Sequence, residues 1–218
     1  MCRYIGMVHI VMPKTDRSGF LRERILRRLL EPQPHRKRPR SLYEVAKEAD
    51  VAYSWAYEVM KSLEALKAAQ GSRVTKPGRA YGYWLKHHVP PLFRDYQVPD
   101  PAGTISEAGL PCAVTTYGAD QVIQRYLFPR RYDVYVRGDD ASAWHKRIMR
   151  RGFAGGGNMR LLLQDEDIIR TSERRHGLSV VCLPQLILDL VVEGGVCTEA
   201  ARVLFRRVYN ADPPVHWT

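Results

Sequence analysis

The sequence predicts an α+β protein made of two parts. A helix-turn-helix domain is expected over residues 1–89 and a mixed α/β domain over residues 112–218, with a linker at residues 90–111. In the first part, apolar residues recur with the period of helices. In the second part, short β-branched and aromatic runs alternate with helical stretches. The segment between the two parts is rich in proline and glycine, as interdomain linkers are.

Three helices are expected in the first part. The first covers about residues 18–30, with Ser18 as its cap and an apolar stripe of Leu21, Ile25, Leu26 and Leu29. Ser41 and Glu44 form the S-x-x-E pattern of a capping box. They begin a second helix, whose buried face is expected to hold Leu42, Val45, Ala46 and Ala49. After a tight turn, Ser54 is expected to cap a third helix that runs to about Ala69, with Gly71 ending it.

The third helix carries its large aromatic side chains away from its apolar stripe. The sequence VAYSWAYEVMKSLEAL, residues 51–66, is expected to bury Val51, Ala56, Met60 and Leu63. Tyr53, Trp55, Tyr57 and Lys61 then remain outward, at the end that leads a recognition helix into the major groove of DNA. The alternative is that Trp55 and Tyr57 pack against the second domain or against a dimer mate.

The charge of the chain favours a polyanionic partner. The net charge is +11, and residues 1–100 hold 19 Lys and Arg against 10 Asp and Glu, a net +9. An excess of this kind raises association with phosphate backbones, and here it concentrates in the first part. Within it, EPQPHRKRPR at residues 31–40 is predicted to be an extended basic loop, either a solvated linker or a clamp on phosphates.

The segment 71–90 has two interpretations. It is a β-wing with Lys76-Pro77-Gly78-Arg79 at its tip, or a helix capped by Thr75 with Pro77 in its first turn. In both cases the sequence predicts double-stranded DNA as the partner. The candidate DNA-binding residues are Arg36, Lys37, Arg38, Arg40, Tyr53, Ser54, Trp55, Tyr57, Lys61, Arg73, Lys76 and Arg79.

Several classes of protein are disfavoured by the sequence. The four cysteines form no C-x-x-C pair and no zinc-finger spacing with histidine, so we expect no metal site and free thiols in a reducing cytoplasm. No apolar run is long enough to span a bilayer. The opening MCRYIGMVHIVMP is short and lacks the features of a signal peptide, so it is expected to form a first strand. We expect no membrane association and no cofactor.

The second part is expected to alternate helices and strands. Strands are predicted at residues 132–136, 159–163 and 178–183. Helices are predicted at residues 117–126, 140–150 with Asp140 as cap, 184–192 and 198–209.

The second part offers weak signals for catalysis. Gly155-Gly156-Gly157 lacks the pattern of a phosphate-binding loop and is interpreted as a turn. Asp165-Glu166-Asp167 is interpreted as a solvated loop after a strand, and we predict no catalytic residues. The rival hypothesis is a nucleotidyltransferase that holds Mg²⁺ between Asp133, Asp165 and Asp167.

Three short motifs of the second part resemble the AbiEi-type antitoxins of type IV toxin–antitoxin systems. They are Asn158-Met159-Arg160-Leu161, then Pro184-Gln185-Leu186 with Leu188-Asp189-Leu190, then Glu199-Ala200-Ala201 with Leu204. The resemblance extends over most of residues 18–210 and includes Gly82–Leu85. The chain departs from the family in its Pro/Arg-rich insert at 31–40 and in its apolar N-terminus.

The resemblance implies a division of labour between the two parts. It implies an N-terminal winged helix that binds operator DNA and represses its own operon. It implies a C-terminal domain similar to a nucleotidyltransferase fold, without catalytic residues, that supports neutralisation of a cognate toxin protein. A homodimer is a further expectation, with Trp55 and Tyr57 at the contact.

Overall fold

The computed structural model of the chain describes residues 17–32, 38 and 40–217, with only the backbone of Arg17. Its helices are α1 (Arg17–Leu30), α2 (Leu42–Glu48), α3 (Tyr53–Ala65), α4 (Pro77–Lys86), α5 (Pro101–Glu107), α6 (Thr116–Ile123), α7 (Ala141–Ile148), α8 (Asp167–Arg170), α9 (Leu183–Glu193) and α10 (Val196–Tyr209). Its strands are β1 (Ala69–Gln70), β2 (Arg73–Val74), β3 (Leu92–Gln97), β4 (Cys112–Thr115), β5 (Tyr132–Val136), β6 (Phe153–Ala154), β7 (Met159–Leu163), β8 (Glu173–Arg175) and β9 (Leu178–Val180). The chain is therefore a mixed α and β protein, as predicted. The expected first strand within residues 1–13 lies outside the described residues.

The first three helices begin close to where the sequence places them. Ser41 accepts a hydrogen bond from the backbone N–H of Glu44, and the Glu44 carboxylate accepts one from the backbone N–H of Ser41, which confirms the predicted capping box. Two boundaries differ from the prediction. Ala52, not Ser54, is the cap of α3. The same helix ends at Ala65 because Lys67 takes a left-handed φ of 52°, which a helix cannot continue through.

The segment after α3 combines parts of both interpretations. Residues 69–74 form a two-stranded hairpin in which Ala69 pairs with Val74 and Gln70 with Arg73. Residues 77–86 then form α4, with Pro77 in its first turn and Lys76 as its cap. The helical interpretation is thus correct for 77–86. The hairpin turn lies at Gly71-Ser72, not at the Lys76–Arg79 tip of the other interpretation.

The second part is built on a seven-stranded mixed sheet in the order β6-β3-β7-β5-β4-β9-β8. β5 and β7 run parallel at its centre, and both match the predicted strands residue for residue. The predicted strand at residues 178–183 stops at Val180, because Pro184 opens α9 from its first turn and Cys182 becomes the helix cap.

The linker predicted at residues 90–111 is an integral part of the sheet. β3 lies within it and pairs with β7 on one side and with β6 on the other. α5 follows, with Asp100 as its cap and Pro101 in its first turn. The proline content predicted a linker, but these prolines lie at the ends of β3 and α5 and do not interrupt either element.

The two parts share one hydrophobic core. The Tyr81 and Trp84 side chains of α4 are fully buried. The ring of Tyr81 lies 5.8 Å from that of Phe205 and 5.6 Å from that of Trp217, and its hydroxyl bonds the carbonyl of Pro184. The helical part is therefore packed directly on α9, α10 and the C-terminal segment. Among the described helices, none is both long and apolar enough to cross a bilayer.

Candidate nucleic-acid interface

Helix α3 separates its residues into a buried face and an exposed ridge. Ala56, Met60 and Leu63 are buried as predicted, and Val59 joins them. Tyr53 and Tyr57 are each about half exposed, and Lys61, one helical turn further, is exposed. Tyr53, Tyr57 and Lys61 follow at intervals of four, which places them in one row along the helix. We call these three residues the α3 ridge.

The two tyrosines of the ridge support each other. Their ring centroids are 6.5 Å apart and their planes differ by 25°, an offset stack. A stacked pair is restricted in its rotamers before any partner arrives, which lowers the entropy cost of binding. The ridge therefore presents two aligned phenol groups and one ammonium group to solvent.

The hairpin turn lies beside this ridge. One shallow depression is bordered by Leu42, Tyr53, Tyr57, Met60, Lys61, Glu64, Gly71 and Ser72. The Glu64 carboxylate accepts a hydrogen bond of 2.9 Å from the backbone N–H of Gly71, whose φ of 61° suits glycine. The hairpin is thereby fixed against α3, and the negative charge of Glu64 is directed at the turn.

The predicted cations after α3 are exposed, but they differ in their contacts. Arg73 on β2 and Lys76 at the start of α4 are exposed. The Arg79 guanidinium donates to the carbonyls of Leu66 and Lys67, at 3.2 and 3.5 Å. Arginine in that place satisfies free carbonyls at the C-terminal end of α3 and stabilises the helix dipole. Arg79 thus has a structural contact in addition to its exposed charge.

Trp55 and Ser54 lie apart from the ridge. Trp55 is partly buried and packs against the hydrophobic core of the same chain, which gives its indole an intramolecular neighbour. Ser54 is exposed in the first turn of α3. Val51, expected in the core, is half buried.

The predicted basic loop is described only in part. Arg36 and Lys37 lie outside the described residues. Arg38 is largely exposed and 3.3 Å from the Glu44 carboxylate. The Arg40 side chain is 10% exposed, at 2.6 Å from Glu31 and 3.1 Å from Glu48, and it donates to the carbonyl of Arg28. Those pairs neutralise Arg40 within the protein, so it contributes less free charge than predicted.

Sequence reasoning missed exposed residues on α2 and after α3. Tyr43 is 66% exposed, and Lys47, one turn along the same helix, is exposed as well. Both fall off the stripe of Leu42, Val45, Ala46 and Ala49, which is the signal that identifies them. Lys67 is also exposed, immediately after α3.

The acidic run after β7 is not the solvated loop predicted from the sequence. Asp165 and Asp167 are buried, and Asp165 accepts two hydrogen bonds from the Arg24 guanidinium, at 2.6 and 2.7 Å. Asp167 accepts one from Arg27 at 3.0 Å, one from Arg28 at 3.2 Å and one from Arg170. Arginines of α1 therefore compensate Asp165 and Asp167, which removes these arginines from any DNA-binding surface, whereas Glu166 between the two aspartates is exposed. Periodicity did not reveal this, because the pairing joins residues about 140 positions apart.

The carboxylates of the enzyme hypothesis do not converge. Asp133 lies opposite Arg160 in the parallel pair of β5 and β7, whereas Asp165 follows the far end of β7. Five residues along a strand correspond to about 16 Å. Asp133 is paired with Arg131 at 2.5 Å and is bonded by the hydroxyl of Thr116. Within the described part of the chain, no group of three or more His, Cys, Asp or Glu side chains is arranged to hold a metal ion.

Comparison of the chain with protein-family models, with curated proteins and with solved structures gave no match.

Proposed function

We propose that the protein is a DNA-binding transcriptional regulator, and that it acts as an antitoxin-like repressor of its own operon. The observation that carries this proposal is the α3 ridge. Two stacked tyrosines and a lysine project from a helix that follows a tight turn, and a hairpin is fixed beside them. In this interpretation α2 and α3 form a helix-turn-helix, and the β1–β2 hairpin is a short wing.

Affinity comes from exposed cations around the ridge. Arg38, Lys61, Arg73, Lys76 and Arg79 are exposed, and each neutralises a backbone phosphate when DNA binds. Sequence choice comes from the ridge, where the phenol hydroxyls of Tyr53 and Tyr57 bond base edges or phosphates and their rings contact thymine methyl groups.

The second part acts in this proposal as a rigid base for the DNA-binding part. The resemblance to AbiEi-type antitoxins supports a nucleotidyltransferase-like fold for it and a cognate toxin as a partner. The pairing of Asp165 and Asp167 with arginines of α1 is consistent with a structural role for those carboxylates. A repressor of this kind works on double-stranded DNA in the cytoplasm, as a monomer or a homodimer.

The test is selection of bound duplexes from a random double-stranded DNA pool, followed by titration of the selected duplex at several salt concentrations. A recovered consensus is expected, with log Kd rising linearly with log salt by about 0.9 per phosphate contacted. Failure to recover a consensus, together with an affinity that does not respond to salt, would overturn the proposal.

A further inference from the structure

The loop between α6 and β5, residues 124–131, is fixed by one buried carboxylate. Asp120 of α6 is fully buried and accepts hydrogen bonds from the backbone N–H groups of Tyr126 and Leu127, at 3.0 and 2.6 Å. It also accepts one from the side-chain amide of Gln124, which in turn donates to the carbonyl of Ala200 in α10. Buried hydrogen bonds of this kind, if lost, leave polar groups unsatisfied, which is costly. The loop conformation is therefore specified by buried contacts.

This fixed loop directs large aromatic side chains into solvent. Phe128 is 87% exposed, more than any other aromatic residue of the described chain, and Tyr126 is 49% exposed. Leu127 between them is buried and anchors the loop. An exposed aromatic on an ordered loop loses little conformational entropy on binding, which is the property of an interface anchor.

Exposed aliphatic side chains lie at the junction of α9 and α10, to which the end of the loop is tied. Val192 at the end of α9 is 50% exposed and Val196 at the start of α10 is 60% exposed. The Arg131 guanidinium lies 2.9 Å from the Glu193 carboxylate and so holds the end of the loop beside this helix junction. We call Tyr126, Phe128, Val192 and Val196 the loop patch.

Positive charge flanks the loop patch. Arg125 and Arg130 are exposed at the two ends of the loop, and neither guanidinium has a hydrogen-bond or ion-pair partner among the residues that the structure describes. Arg131, in contrast, is paired with Asp133 and Glu193. Two arginines are thus available to an external acidic group.

We propose that the loop patch binds an acidic peptide segment of a partner protein. A bulky apolar side chain of that segment packs on Phe128 and Tyr126, and its carboxylates pair with Arg125 and Arg130. A second copy of this chain is disfavoured, because a symmetric contact would bring the same arginines together in a protein of net charge +11. Nucleic acid is disfavoured because half of the patch is aliphatic: Val192 and Val196 offer neither a ring on which a base stacks nor a donor for a phosphate.

The patch shares no residue with the proposed DNA-binding surface, so each proposal can fail without the other. The test uses a phage library of random twelve-residue peptides, selected on the full chain and depleted on the Phe128→Ser variant. Enriched peptides are expected to place Asp or Glu around Leu, Phe or Trp. For a synthetic enriched peptide, fluorescence anisotropy is expected to show at least a tenfold loss of affinity in Phe128→Ser. A similar loss and a weaker salt dependence are expected in Arg130→Glu.

Matched controls lie elsewhere on the surface. Val215 is 89% exposed and Arg174 is exposed on β8, so Val215→Ser and Arg174→Glu are expected to leave the affinity unchanged. Enrichment without acidic residues, or no peptide that distinguishes the chain from Phe128→Ser, would overturn the proposal. Phe128-dependent binding of single-stranded oligothymidylate, or of vesicles containing phosphatidylserine, in place of the peptides would overturn it as well.

Discussion

Tyr57 and Lys61 are the two side chains on which the proposed DNA binding is tested most directly. Both are exposed on the ridge, and neither supports the buried face of α3. Replacing both by alanine is therefore expected to leave the fold intact and to weaken specific DNA binding by about 1–3 kcal/mol for each lost base contact. Non-specific binding should lose only the phosphate contact of Lys61. The measurement is titration of the selected duplex and of a scrambled duplex at the same salt.

The matched control for that experiment is Lys86→Ala, which removes a cation from the other end of α4. It should leave the ratio of specific to non-specific affinity unchanged. Equal losses on both duplexes in the Tyr57→Ala, Lys61→Ala protein would mean that the ridge contacts only phosphates.

The buried carboxyl of Asp189 is expected to make the stability of the protein depend on pH. Burial raises the pKa of this carboxyl to about 6, although hydrogen bonds from Thr115, Gln185 and Tyr135 oppose the rise. An acid with a raised folded-state pKa contributes its stability below the unfolded pKa of 3.8 and loses it as pH rises through about 6. The difference between the unfolded and folded pKa values corresponds to about 3 kcal/mol in the free energy of unfolding.

We therefore expect Asp189→Asn to gain stability relative to the natural chain between pH 4 and pH 7, by up to about 3 kcal/mol. Asparagine keeps the shape of the side chain and does not titrate. Urea unfolding of both proteins at pH 4, 5, 6 and 7 measures the difference in the free energy of unfolding. A difference that is constant over this range would contradict the raised pKa.

At the scale of elements, ion pairs join α1 to the β7–α8 segment and hold the helical part against the sheet. Arg27 and Asp167 both have fully buried side chains and lie 3.0 Å apart. Removal of one member of a buried pair leaves the other charge without compensation, at a cost of about 3–5 kcal/mol. Asp167→Ala is expected to destabilise the protein by about that amount in urea unfolding. Glu173→Ala, which breaks the exposed pair with Arg175, should cost less than about 1 kcal/mol. Equal costs would show that the buried pairs do not hold α1 in place.

The elements that the sequence predicted well are those with strong local signals. β5 and β7 match because their β-branched and apolar runs are bounded by turn residues. The α2 cap matches because its two hydrogen bonds join residues three apart. The contacts of Arg24 and Arg27 could not be predicted, since the charge pattern of α1 is equally compatible with a solvated surface. For the ridge, periodicity identified the exposed tyrosines, whereas the partly buried state of Trp55 depends on distant packing.

At the scale of the whole molecule, the main difference from the sequence prediction is the absence of a linker between the described halves. The prolines and glycines of residues 90–111 indicated an interdomain linker, but β3 pairs within the sheet inside that segment. Tyr81 and Trp84 of α4 also complete the core of the second part. Composition could not show this, because the pairing partners of β3 lie in β6 and β7, far along the chain.

Limited digestion with trypsin distinguishes a linker from an interior strand. Arg94 lies in β3, between β6 and β7, so its peptide bond is expected to be cut slowly, after local unfolding of the sheet. Arg174 and Arg175 lie in β8, at the edge of the sheet, and are exposed, so they provide an internal control that should be cut before Arg94. Mass spectrometry of a time course measures the order of cleavage. An early pair of fragments that ends at Arg94 and begins at Asp95 would show two separable domains. Late cleavage there is expected, because α1 and α4 of the helical part are held by contacts with the second part.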